Sequence, residues 1–203
     1  MFINVSGGVL LVDKRVVRTK KDLKNSLLIL MENNPYETIT VKNIVEHAGY
    51  NRGTFYLHFH GKEDVMNELI GDMFEGLTYA FRTPYRNHHH QNLMSVSAND
   101  ILLFAYIEEN KAFFSLMVTS PFLSNFRERV LSKFIALFEE DLHFLLQKHK
   151  EIDRELFVQF RAYGLYGLVI EWIKSDYANS TVYMAQQLLK IFYYKLDELY
   201  FLK

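Results

Sequence analysis

Asn51-Arg52-Gly53-Thr54 is the stretch of this chain whose side chains best suit selective recognition. Arginine carries a planar fork of donors that fits guanine O6 and N7, and asparagine can pair bidentately with adenine N6 and N7. Gly53 has no side chain, so the backbone there can approach a base methyl or a sugar closely. Contacts to base edges of this kind carry sequence information, whereas phosphate contacts only fix register. The chemistry on offer is binding rather than bond-making.

Two short helical patterns position these groups. Thr40 is a good N-cap, and Val41, Ile44, Val45 and Ala48 follow on one helical face. Ala48-Gly49-Tyr50 breaks the pattern, because glycine tolerates the positive φ at which helices commonly end. Asn51 can cap a second helix over 52–59, with Phe55 and Phe59 facing inward and Arg52, Gly53, Thr54 and Tyr56 left elsewhere. That is the plan of a helix-turn-helix. Upstream, Thr19 and Asp22 approximate a capping box for a helix over 19–33, with Leu23, Leu27, Leu30 and Met31 on one face. Asn33-Asn34-Pro35 ends it. The head is therefore expected to span 18–62, with Tyr36 and Ile39 completing a small three-helix core.

A fourth helix is predicted from Gly61-Lys62-Glu63-Asp64 to Arg82, its acids complementing the helix dipole. A polar loop over 83–97 then holds Pro84 and His88-His89-His90. Three successive histidines lack the spacing of metal ligands and read as a solvated loop. Further helices are expected over 99–110, 111–118, 120–148 (Pro121 at the first turn), 153–175 and 181–200. The fold class is all-α, about nine helices, with 63–203 forming a helical C-terminal domain. Residues 1–17 show no periodicity and read as a disordered extension, or as a basic arm using Lys14, Arg15 and Arg18. Ser6-Gly7-Gly8 is codable by a purine-rich stretch like a ribosome-binding site, which points to an alternative start at Leu10, Leu11 or Val12.

The 203 residues carry a formal net charge of -1 and no cysteine, which excludes a disulfide framework and thiol chemistry. No apolar run approaches the ~18 residues that span a bilayer, so a soluble, cytoplasmic chain without membrane partners is expected. Through Lys62 there are nine Lys/Arg against five Asp/Glu, a basic head on an acidic body. No Ser/His/Asp arrangement, phosphate loop or metal spacing is present, and Glu139-Glu140-Asp141 reads as a solvated face. No catalytic residue, metal or cofactor is expected. The run from Leu102 to Phe138 is rich in aromatic residues, which suits either plain core or a pocket.

The stretch T-V-x-x-I-V-x-x-A-G-Y-N-R-G-T-F-Y-x-H-F-x-G-K-E-D, Thr40 to Asp64, resembles the DNA-binding signature of the TetR/AcrR family of bacterial transcriptional regulators. The resemblance implies base readout by Asn51, Arg52 and Gly53. It implies phosphate contacts by Thr40, Tyr56 and Lys62, with Lys42, Thr54 and His58 as further candidates. It also implies a homodimer on a palindromic double-stranded DNA operator, and a fourth helix that transmits ligand-driven movement. The dimer would form as a four-helix bundle through Phe160, Gly164, Gly167 and Glu171 of one helix and Ala185, Leu189, Phe192 and Leu196 of the last. A small apolar or aromatic effector would lie among Tyr106, Phe113, Met117, Phe134, Phe138, Tyr163, Tyr166 and Trp172. The pattern Y-G-x-x-G-x-x-x-x-W from Tyr163 is also similar to a subgroup containing the dihydroxyacetone kinase operon activator. The first resemblance implies an effector-relieved repressor; the second implies action with a protein co-regulator.

Overall fold

A computed structural model of the chain describes residues 4–5, 8–9, 13–86, 96–141 and 152–193. The described residues form nine α-helices, preceded by two-residue strands at Asn4–Val5 and Gly8–Val9 that pair antiparallel. The fold is all-α. The chain divides into two compact units, Met1–Met73 and Phe74–Lys203.

The first unit contains α1 (Lys14–Asn33), α2 (Val41–Ala48), α3 (Arg52–Tyr56) and the first half of α4 (Lys62–Arg86). α1 begins five residues before the predicted start, at Lys14 rather than Thr19. Asp13 caps it by accepting a hydrogen bond from the Arg15 amide at 2.9 Å, while Thr19 is buried inside the helix. Lys14, Arg15 and Arg18 are thus exposed helical residues, not part of an irregular arm. Leu23, Leu27, Ile44, Phe55 and Val65 are almost completely buried and form the centre of this unit. α1 packs on α2, and α2 on α3.

The second unit holds the remainder of α4 and then α5 (Leu103–Glu109), α6 (Lys111–Thr119), α7 (Ser124–Asp141), α8 (Arg154–Lys174) and α9 (Thr181–Tyr193). α4 continues through Pro84 to Arg86, four residues past the predicted end. Pro121 opens a short 3-10 turn over Pro121–Leu123 that leads into α7. α7 packs along α8, α6 against both, and α5 against α9. Aromatic edges fill the centre: Phe113 lies edge-on to Phe126 at 4.8 Å and Phe104 edge-on to Trp172 at 5.4 Å. Such contacts add about 0.5–1.5 kcal/mol each beyond their buried area.

α8 ends on a turn with two consecutive left-handed residues, Asp176 (φ 52°) and Tyr177 (φ 57°). The Tyr177 amide bonds the Trp172 carbonyl at 3.0 Å and the Asp176 amide that of Ile173 at 3.0 Å, which satisfies the last carbonyls of the helix. The side chain holds the turn in place. Tyr177 lies edge-on to Trp172 at 4.9 Å, and its hydroxyl is 3.1 Å from that of Ser115. Burial, foremost, raises the pKa of that phenol.

Candidate nucleic-acid interface

Local capping chemistry builds the helix-turn-helix. The Thr40 hydroxyl oxygen accepts from the Asn43 amide at 3.2 Å, and Asn43 Oδ1 accepts from the Thr40 amide at 2.9 Å. This reciprocal pair fixes the start of α2 and occupies the Thr40 hydroxyl. Gly49 sits at φ 73°, and the Tyr50 amide closes the turn on the Val45 carbonyl at 2.9 Å. Two longer-range bonds pin that turn to α1. The Tyr50 phenol donates to Asp22 at 2.9 Å, and His47 Nδ1 lies 3.1 Å from the Ser26 hydroxyl.

Asn51 caps α3 as predicted, and this limits its other role. Its Oδ1 accepts from the Thr54 amide at 2.8 Å and from the Thr54 hydroxyl at 3.2 Å. Bidentate pairing with adenine needs that same oxygen. Asn51 therefore orients α3, with only its amide N–H groups left for a base, and Thr54 is tied to the same cap. A Cβ at Gly53 would come 3.2 Å from Asn51 Oδ1, so the glycine also leaves space for the cap.

The exposed side of α3 carries Arg52, Gly53 and Tyr56, and Leu57 just beyond; Phe55 points into the core. Tyr56 is 56% exposed and stands edge-on to Phe55 at 5.4 Å, which holds the ring while leaving the phenol outward. Lys42 is exposed, 3.8 Å from Glu46 one turn on, and His58 is half-buried.

Lys62 has a different job from the one predicted. Its ammonium donates to the carbonyls of Tyr36 at 2.8 Å, Glu37 at 3.1 Å and Ile39 at 2.8 Å. An ammonium has three N–H groups. All are satisfied by the segment that enters α2, so none remains for a phosphate. The charge also lies 4.4 Å from the Tyr36 ring centroid. Burial, then the charges of Glu63 and Glu37, push the Tyr36 phenol up to about 12.

The basic character of the head also changes once partners are visible. Lys20 reaches Glu68 at 2.6 Å, and Lys24 reaches Glu68 at 3.1 Å and also Asp72. Burial alone would raise the Glu68 carboxyl, but hydrogen bonds from Lys20 and Lys24 outweigh it and bring it below its ordinary value. Burial disfavours the Lys24 charge, and bonds to Asp72 and Glu68 more than compensate, so its pKa rises. Through Met73 the unit holds nine Lys/Arg and nine Asp/Glu. The predicted basic head is neutral overall; its positive groups are local, at Arg52 and on the first turns of α1.

Residues 28–69 match the family described as bacterial regulatory proteins, tetR family, and residues 100–194 match a transcriptional regulator C-terminal region. The chain is 25% identical over 169 residues to the uncharacterized HTH-type transcriptional regulator YxbF of Bacillus subtilis strain 168. That match covers 83% of this chain but 43% of YxbF, so the chain spans under half the length of this relative. The chain belongs to the TetR family of transcriptional regulators. Solved TetR-like structures share its fold. The dihydroxyacetone kinase operon activator DhaS superposes with a TM-score of 0.60 at 20% identity, covering 86% of this chain and 94% of DhaS. A TetR regulator from Streptococcus agalactiae 2603V gives 0.53 at 20% identity, covering 88% and 96%. As a TetR-family member the chain is a helix-turn-helix transcriptional regulator. Among the described residues no helix is long and apolar enough to cross a membrane. The three histidines at 88–90 lie outside the described residues.

The residues predicted to line an effector pocket in this TetR-type body are mostly its core. Phe113, Met117, Phe134, Phe138 and Trp172 are buried against neighbouring helices. The Tyr106 ring lies over Gly76 of α4, where a Cβ would come within 2.3 Å of it. Tyr163 is exposed and Tyr166 half-buried. An apolar cavity of about 20 Å³ lies elsewhere, among Ala80, Phe81, Pro84, Ile101, Leu103, Leu165, Leu188 and Phe192. A stripe of aromatics at helical spacing reads the same whether it fills space or lines it.

The predicted dimer face divides in two. On α8, Phe160, Gly164 and Glu171 are exposed and Gly167 half-buried, joined by exposed Leu156 and Tyr163. On α9 the register is reversed. Ala185 is buried inside the chain with Met184 and Leu188, Leu189 and Phe192 are half-buried, and Val182, Tyr183, Gln186 and Ile191 face outward. Leu196 lies outside the described residues.

Proposed function

We propose that this TetR-family chain binds a palindromic DNA operator as a homodimer and represses transcription until an effector releases it. The observation that carries the DNA reading is the exposed side of α3, where Arg52 and Tyr56 project from a helix whose start is fixed by the Asn51 cap. Arg52 reads a base, guanine being its best partner through O6 and N7. Tyr56, the exposed Lys42 and the half-buried His58 reach phosphates. Lys14, Arg15 and Arg18 on the first turns of α1 supply further cations without base selectivity.

The α8 surface supports the dimer. Leu156, Phe160 and Tyr163 recur at helical spacing beside Gly164 and Gly167, and Phe160 is 76% exposed. A Cβ at either glycine would meet nothing within 4 Å among the described residues, so their packing there does not require glycine. A second copy approaching backbone-close uses both features, and the two heads then address half-sites about one helical turn, or a multiple, apart.

Effector control rests on less. Ligand sites usually need about 300 Å³ or more, and the apolar cavity near Pro84 holds about 20 Å³. An apolar effector there has to part α4 from α8 and α9. The likeness to DhaS keeps a protein co-regulator as the second reading, since DhaS is an operon activator.

The test is selection of duplexes from a random library by the full chain, followed by titration of wild type and Arg52→Ala. We expect a palindrome to emerge and Arg52→Ala to lose about 1–3 kcal/mol of discrimination against a mismatched base pair. Equal weakening on selected and random duplex refutes base reading by Arg52. A stable monomer in sedimentation at micromolar concentration refutes the dimer.

A further inference from the structure

We infer that Leu57 is a specificity residue that reads the C5-methyl of a thymine in the major groove; this rests on the DNA-binding reading above. Leu57 lies just past the last residue of α3, yet its backbone stays helical at φ -70° and ψ -19°, and its amide donates to the Gly53 carbonyl at 3.2 Å. Its side chain therefore stacks above Gly53, one turn on, as Tyr56 stacks above Arg52. At 100° per residue the order across this face is Arg52, Tyr56, Gly53, Leu57, within about 140° of arc. Leu57 is 79% exposed, the most exposed large apolar residue among those described. The glycine beside it leaves no side chain to cover it or to hold a base away.

A surface presenting a guanidinium, a phenol and a bare leucine on one helical face complements a mixed groove edge. The one apolar group a major groove offers is the thymine methyl. A leucine that waits in water gains by burying it, whereas cytosine presents an amino donor the leucine cannot satisfy. Scattered surface leucines are ordinary; what distinguishes this one is its place on the same short face as Arg52.

The test uses the full chain and a duplex selected by it from a random library. Each thymine is replaced in turn by deoxyuridine, which removes the methyl and nothing else. At one thymine in each half-site, wild type should bind the deoxyuridine duplex roughly fourfold more weakly. Leu57→Ala should bind the thymine and deoxyuridine duplexes equally, and Leu57→Met should keep most of the penalty. Because Leu57 is exposed, both variants should melt with wild type. Indifference of wild type to every substitution overturns the assignment, as does an undiminished penalty in Leu57→Ala. If wild type selects no duplex at all, the DNA reading fails and this assignment with it; failure at Leu57 alone leaves that reading standing.

Discussion

Replacing Lys62 by methionine separates two jobs that a lysine at the start of α4 can have. Methionine keeps the apolar stem and removes the ammonium. Three carbonyls then lose a charge-assisted donor, those of Tyr36, Glu37 and Ile39. The Glu37 bond is exposed and water can replace it, while the other two are part-buried. An unsatisfied buried acceptor costs about 1–3 kcal/mol. With partial relaxation the total is about 2–4 kcal/mol, or a fall in melting temperature of roughly 5–15 °C for a chain of this size. The companion measurement is the dependence of log K on log salt for a selected duplex, where each phosphate contact contributes about 0.9 to the slope. A clasp lowers the melting temperature and leaves the slope unchanged. A phosphate ligand lowers the slope by about 0.9 and leaves the melting temperature alone, which would refute the clasp. Lys62→Arg sharpens the contrast. A planar guanidinium cannot converge on three carbonyls as an ammonium does, yet it serves a phosphate well. Restored stability in Lys62→Arg would also count against the clasp.

The Glu68 carboxyl is held below its ordinary value, so the stability it contributes is present above its unfolded pKa near 4.5 and is lost as pH falls through the folded value. Denaturant titrations across pH should show wild type losing up to about 1 kcal/mol more than Glu68→Gln on acidification, and less of a difference in high salt. Lys24 gives the opposite limb: its raised pKa means a contribution present below 10.5 and lost as pH rises through the folded value. Gly164→Ala should stabilise α8 by about 0.5–1 kcal/mol if only the single chain matters, since nothing among the described residues opposes the methyl. Loss of the dimer in sedimentation despite that gain would mark Gly164 as a point of close approach between copies. A stable, unimpaired dimer would place the interface elsewhere. Asp176→Gly should add about 0.5–1 kcal/mol by relieving a left-handed aspartate, read as an upward shift of the melting curve.

What could be read from the sequence is what depends on neighbours three or four residues away. The caps at Thr40 and Asn51 and the stop at Gly49 are local hydrogen-bond and backbone chemistry, and all three form as expected. The α1 start moved because Asp13 is a better local cap than Thr19, whose side chain is needed inside. The charge count of the head misleads for a different reason. A boundary at Lys62 leaves out Glu63, Asp64, Glu68 and Asp72, and two of those acids are the partners of Lys20 and Lys24 more than forty residues away. The count was right, and the electrostatics follow from pairing.

α9 shows why periodicity alone cannot assign an interface. Met184, Ala185 and Leu188 lie on its buried side, while its outward side mixes Val182, Tyr183 and Ile191 with Gln186 and Lys190. Apolar residues occur on both sides, so a stripe at helical spacing can be the one that packs on the chain itself. α8 differs because glycine inside a helix costs about 1 kcal/mol, and among the described residues a Cβ at Gly164 or Gly167 would meet nothing within 4 Å. The argument at α3 is different. A Cβ at Gly53 would meet the Asn51 cap at 3.2 Å, and the side chain left bare beside that cap is Leu57, exposed to water. The proposed complements follow from exposure in both places: a second copy would cover Phe160 beside the glycines of α8, and a base pair would cover Leu57 beside Arg52 on α3.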